Sequence, residues 1–126
     1  SELVDNCLAK NKRKTINILV ENNFNNDDCI VITRTFLTKL KKILKLSIEY
    51  KKNKDVNLTI SSAKPPIFWK EKEITKQQIL SWSPQNIRKS LYKINNIELQ
   101  IKKNYERSIN IIIDFILDQV SYQASN

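Results

Sequence analysis

At 126 residues with 40% hydrophobic side chains the chain has the size of one domain able to close a core unaided, and its formal charge of +9 makes a polyanion its natural counterpart, although an AT-rich coding sequence would also enrich lysine. It holds no glycine and no histidine, which excludes phosphate-cradling ATP and dinucleotide loops, whose turns need residues without a Cβ, along with histidine-based triads and HExxH zinc sites. Two cysteines are too few for a metal site or a secreted disulfide framework and read as buried free thiols in a reducing cytoplasm rather than a pair, and no run is apolar enough for a membrane span or a signal peptide.

Leu3, Val4, Cys7 and Leu8 form an amphipathic turn at once, and methionine is absent, as though the chain opened inside a longer protein. The Ala-Lys-Asn-Lys step at 9–12 leads into a helix carrying Ile16, Leu19 and Val20, and the Asn-rich stretch at 22–26 ends it, making a helical hairpin. Asp27 or Asp28 is the expected N-cap of a long helix. Its apolar stripe runs Cys29, Ile32, Phe36, Leu40, Ile43 and Ser47, widened by Leu37, Leu44 and Ile48 so that it packs on two sides. Lys39, Lys41, Lys42 and Lys45 fill the remaining arc as a solvated face, with polyanion contact as the alternative.

A polar stretch at 51–55 precedes a short apolar element, Val56 to Ile60. The Ser-Ser-Ala-Lys-Pro-Pro run after it is the clearest break, because neither proline donates a backbone hydrogen bond and Pro66 biases Pro65 out of the helical region. After this ordered loop come Ile67, Phe68 and Trp69, then one short helix from Ile74 to Trp82. Ser83-Pro84 supplies an N-cap and a first-turn proline, the strongest helix start in the chain. From it Ile87, Leu91, Ile94, Ile97 or Glu98, Ile101 and Tyr105 keep helical spacing for about five turns. A last helix carries Ile109, Ile112, Ile113, Ile116, Leu117 and Val120, with Asp114 and Asp118 outside. The pattern predicts an all-α protein, one compact bundle of about five to six helices without internal repeats.

The stretch Pro65 to Tyr105, together with Glu2 to Leu19, resembles the C-terminal domain of the delta subunit of bacterial DNA polymerase III. The residues that carry the likeness are Pro65, Pro66, Phe68, Trp69, Lys70 and Lys72, then Trp82, Ser83 and Pro84, then Leu91, Glu98, Leu99, Lys102 and Lys103. The likeness is strongest in the middle of the chain and fades after Tyr105. It implies a fragment of a three-domain protein whose two preceding AAA+-type domains lie upstream, the first of them contacting the sliding clamp. It implies a collar domain that packs beside its counterparts in the ATPase subunits and delta-prime, in the bacterial replisome. This domain would have no intrinsic activity and no cofactor, while belonging to a DNA-directed DNA polymerase, a nucleotidyltransferase assembly.

Trp69 among Lys64, Lys70 and Lys72, and Tyr105 after Lys102 and Lys103, match the recipe for stacking on a nucleic-acid base, and in the resembled family aromatics at these positions are implied to meet the primer-template. Ordinary packing is the alternative for both. Phe68 is expected in the core, and Trp82 is expected there as the staple before the cap. Glu71, Glu73, Glu98, Asp114 and Asp118 read as solvated or salt-bridging carboxylates, since no nucleophile has a base beside it. A free-standing basic helical domain that binds nucleic acid by itself is the competing function.

Overall fold

A 28-residue helix, α3 (Asn26–Asn53), is the spine of the computed structural model, which describes residues 1–121. Around it stand α1 (Glu2–Leu8), α2 (Lys12–Glu21), α4 (Val56–Ser61), α5 (Lys72–Ser81), α6 (Pro84–Lys103) and α7 (Ser108–Ser121). Single 3-10 turns, Trp69–Glu71 and Tyr105–Arg107, precede α5 and α7. The described residues form an all-α fold, with two more helices than the shorter expectation because the opening turn and the Val56 element are each helical. No helix among them is long and apolar enough to cross a membrane.

The start of α3 corrects the expected cap. Asn25, not Asp27 or Asp28, is the N-cap: its side-chain oxygen accepts from the Asp28 N–H at 2.8 Å, and the Asp28 carboxylate accepts from the Asn25 N–H at 2.9 Å. This reciprocal box satisfies two orphan donors at once, and it frees Asp27 and Asp28 to sit in the first turn, where negative charge meets the positive end of the dipole. At the other end Lys54 takes a left-handed conformation, φ 58°, and donates its N–H to the Tyr50 carbonyl at 2.7 Å.

Antiparallel to α3 runs α6. Arg34 near the start of α3 meets Glu98 near the end of α6 at 2.8 Å, while Ile48, Lys51 and Lys52 near the end of α3 border Pro84, Gln85 and Arg88 at the start of α6. As expected, Ser83 caps α6, accepting from the Asn86 N–H at 3.1 Å. The helix stops at Lys103, so Tyr105 stands outside it in the following 3-10 turn. Ile87, Ile94 and Ile101, seven residues apart, form its buried seam.

One core joins these seams to Phe36, Leu40 and Ile43 of α3 and to Ile112, Phe115, Ile116 and Val120 of α7. The Phe36 and Phe115 rings meet edge to face with centroids 5.1 Å apart. Helix α1 plugs this core with Leu3, Val4, Cys7 and Leu8, and polar side chains from distant elements hold its last carbonyls. Trp82 Nε1 donates to the Leu8 carbonyl at 2.7 Å and Gln78 Nε2 to that of Asp5 at 2.9 Å. Trp82 is buried as expected, and it shares the core with Ile87, its staple partner in the first turns of α6. Cys7 and Cys29 are buried free thiols.

A second, smaller cluster gathers Leu46 of α3, Ile60 of α4, Ile67 of the proline loop and Ile79 of α5. Several expected positions move. Val20 is 78% exposed, and Thr15 is the buried residue of α2. Leu117 is exposed, while Phe115 and Gln119 turn inward, where Gln119 accepts from the Ser90 hydroxyl at 2.6 Å. Lys39 leaves the solvated lysine face to pair with Asp5 at 3.2 Å.

Candidate nucleic-acid interface

Three apolar residues follow the proline loop, and the fold uses only the first as an anchor. Ile67 is buried in the second cluster, which leaves Phe68 56% and Trp69 69% exposed. Phe68 is therefore not the core residue expected from its hydrophobicity. An extended backbone at Phe68 turns into the 3-10 helix that begins at Trp69, and that change of direction carries both rings outward. Their centroids lie 5.9 Å apart at a 49° tilt, and Lys70 Nζ stands 5.3 Å from the Trp69 centroid in cation–π range. Lys64, Lys70 and Lys72 are all exposed and carry no ion pair among the described residues. The result is an exposed aromatic knob with one unneutralised cation, Lys70, against it and two more, Lys64 and Lys72, close in sequence.

Tyr105 has a different setting. Its hydroxyl donates to the carboxylate of Asp27, tying the turn before α7 to the first turn of α3. That hydrogen bond, with burial and the Asp27 charge adding to it, holds the phenol pKa above its usual value. The ring remains 42% exposed. Lys102 lies 3.9 Å from Glu98, which Arg34 already pairs at 2.8 Å, whereas Lys103 is exposed without an ion pair among the described residues.

The two aromatic sites do not converge. Tyr105 is fastened to Asp27, while the Trp69 knob hangs from Ile67 beside Leu46. Those anchor points are about 28 Å apart along α3 at 1.5 Å per residue. A single nucleotide cannot touch both, but an extended strand of several nucleotides can.

The carboxylates form no reactive pair. Glu98 is held by Arg34 and Lys102, Asp118 by Lys93 at 3.3 Å, and Glu73 and Asp114 are exposed. Glu71 borders a narrow cleft with Lys39, Lys42 and Gln78. No three Asp, Glu, Cys or His side chains converge among the described residues. The cleft between Arg34, Glu98, Ile101 and Lys102 has a volume of about 50 Å³, far below the several hundred of a small-molecule site, and two larger open grooves, of about 350 and 360 Å³, are lined by no carboxylate, cysteine or histidine among the described residues. No protein-family model, curated protein or solved structure matches the chain.

Proposed function

We propose that the chain is the helical collar domain of a bacterial clamp-loader delta subunit, a non-catalytic module that joins the other loader subunits and docks primer-template DNA. Support comes from the Pro65–Tyr105 pattern, which falls in order on the proline loop, α5, α6 and the turn after it. The single observation that carries the DNA part is the exposed Phe68–Trp69 knob among unpaired lysines, a surface that packing does not require. Leu99 and Val31, both more than half exposed on α6 and α3, are the apolar positions offered to neighbouring collars. A sliding clamp would be reached only through the upstream domains.

A free-standing basic helical domain that binds nucleic acid directly is the second reading, favoured by the +9 charge. Pull-down with the clamp-loader ATPase subunits and delta-prime separates them: association that Leu99→Asp abolishes supports the collar, and no association even with full-length subunits rejects it. In the reconstituted loader, Trp69→Ala or Tyr105→Ala should weaken primer-template binding about five- to 150-fold with little change in salt slope. Lys103→Ala should instead lower the slope by about one unit, as loss of one phosphate contact does.

A further inference from the structure

A second basic surface lies on the far side of α3 from the Trp69 knob. Leu46, under the knob, and Ile48 are two residues apart on one helix, a turn of about 200°. Ile48 therefore points away from the proline loop. It forms the floor of an open groove of about 350 Å³ with Pro84, walled by Lys51 and Lys52 from the last turn of α3 and by Gln85 and Arg88 from the start of α6. No carboxylate among the described residues lines this groove. Lys51, Lys52 and Arg88 are exposed and carry no ion pair among the described residues, whereas six other cationic groups pair with acids. Lys51 and Lys52 complement the carbonyl end of α3, but Arg88 does not share that explanation, since it stands in the second turn of α6 at the helix's positive end. One turn beyond Arg88 on the same face is Tyr92, 78% exposed.

We propose that this groove binds single-stranded nucleic acid, with backbone phosphates on Lys51, Lys52 and Arg88 and a base stacked on Tyr92. The choice of a single strand follows from the aromatic ring. A cationic groove alone fits any polyanion, but an exposed tyrosine one turn beyond Arg88 adds a flat face on which an unstacked base can lie, the combination found in sequence-tolerant single-strand binders. The apolar floor of Ile48 and Pro84 accommodates the sugar while the cations flank it. This inference rests on the nucleic-acid part of the function proposed above, not on membership of a clamp loader, and uses neither Trp69 nor Tyr105.

The test is fluorescence anisotropy of a labelled oligothymidine titrated with the 126-residue chain across a salt series. Variants are Lys51→Gln/Lys52→Gln, Arg88→Gln, Tyr92→Ala and, as a reference from the other face, Trp69→Ala. Each glutamine should lower the salt slope by about 0.7 unit, the single-strand value for one phosphate contact. Tyr92→Ala should weaken binding about five- to 150-fold with the slope unchanged. Thermal midpoints of Arg88→Gln and Tyr92→Ala should stay at the wild-type value, and that of the lysine pair should fall by a few degrees at most, since those two also complement the dipole of α3. Wild-type affinity and slope in all groove variants would overturn the proposal, as would absence of oligothymidine binding by the wild type at low salt. Equal competition by polyglutamate at matched charge would also overturn it, since the groove would then be a general acid-docking surface. If only Trp69→Ala weakens binding, the groove fails and the knob stands. If the groove variants weaken binding while the loader pull-down fails, the groove stands and the clamp-loader reading falls.

Discussion

The two hydrophobic clusters are built on opposite plans. In the main core α1, α3, α6 and α7 each contribute several buried residues, so every helix is held at successive turns. In the smaller cluster Leu46, Ile60, Ile67 and Ile79 come one apiece from α3, α4, the proline loop and α5. Removing one side chain from the first thins a continuous contact. Removing Ile67 from the second takes away the one buried anchor of the proline loop. The exposed Phe68–Trp69 knob hangs on the second plan, next to the cluster with the fewer buried side chains.

Substitutions can break this contrast. Phe36→Ala, in the centre of the main core and against Phe115, should cost about 3–5 kcal/mol in chemical denaturation and destabilise all probes together. Ile67→Ala should cost less, about 2 kcal/mol, and act locally: amide exchange should accelerate at 62–71 while α6 and α7 keep their protection. Equal acceleration everywhere would show that the two clusters open as one.

Alkaline pH probes the main core through Cys7, whose burial pushes the thiol pKa up from 9.0 to about 12. The folded-state value is the higher one, so this contribution is complete below pH 9 and is lost as pH rises toward 12. Between about pH 8 and pH 10 the wild type should lose about 1.4 kcal/mol relative to Cys7→Ala. Lys10 moves in the other sense. Burial lowers its pKa from 10.5 to about 8, so its contribution grows with pH across that window, and because the Cys7 charge acts to raise that pKa the difference reads the thiol together with its coupling to Lys10. Smaller still, Asn25→Ala should cost about 1 kcal/mol by removing the cap of α3. Trp69→Ala should change stability by no more than about 0.5 kcal/mol, since the exposed ring supports no core, and a larger loss would mean that the knob is structural.

Sequence pattern revealed the helices better than it revealed which residues face inward. The Ser83-Pro84 start is a local signal, complete within four residues, and the structure has it as read. Asn25 was hidden because the Asn-rich run offers several capping side chains, and only the three-residue spacing to Asp28 selects among them. Ile67, Phe68 and Trp69 are consecutive and hydrophobic, so composition cannot say which one anchors. That depends on Leu46, Ile60 and Ile79, which come from other elements. The basic groove was illegible for the same reason: Lys51 and Arg88 are far apart in sequence and meet only because α3 and α6 run antiparallel. The lysines flanking Trp69 were readable in advance, whereas the exposure of its ring and the bond from Tyr105 to Asp27 were not.

The way α1 is held has a consequence for how the protein is made. Its Cys7 thiol donates to the Ile116 carbonyl at 3.6 Å across 109 residues of chain, Trp82 reaches Leu8 across 74, and Lys10 closes onto Gln119 while its ammonium lies 3.9 Å from the Trp82 ring centroid. The first helix of this bundle is thus fixed by its last. Until α7 emerges, Leu3, Val4, Cys7 and Leu8 have no complete cavity to fill, and the nascent chain must carry that apolar turn unsheltered while the helices between α1 and α7 are made.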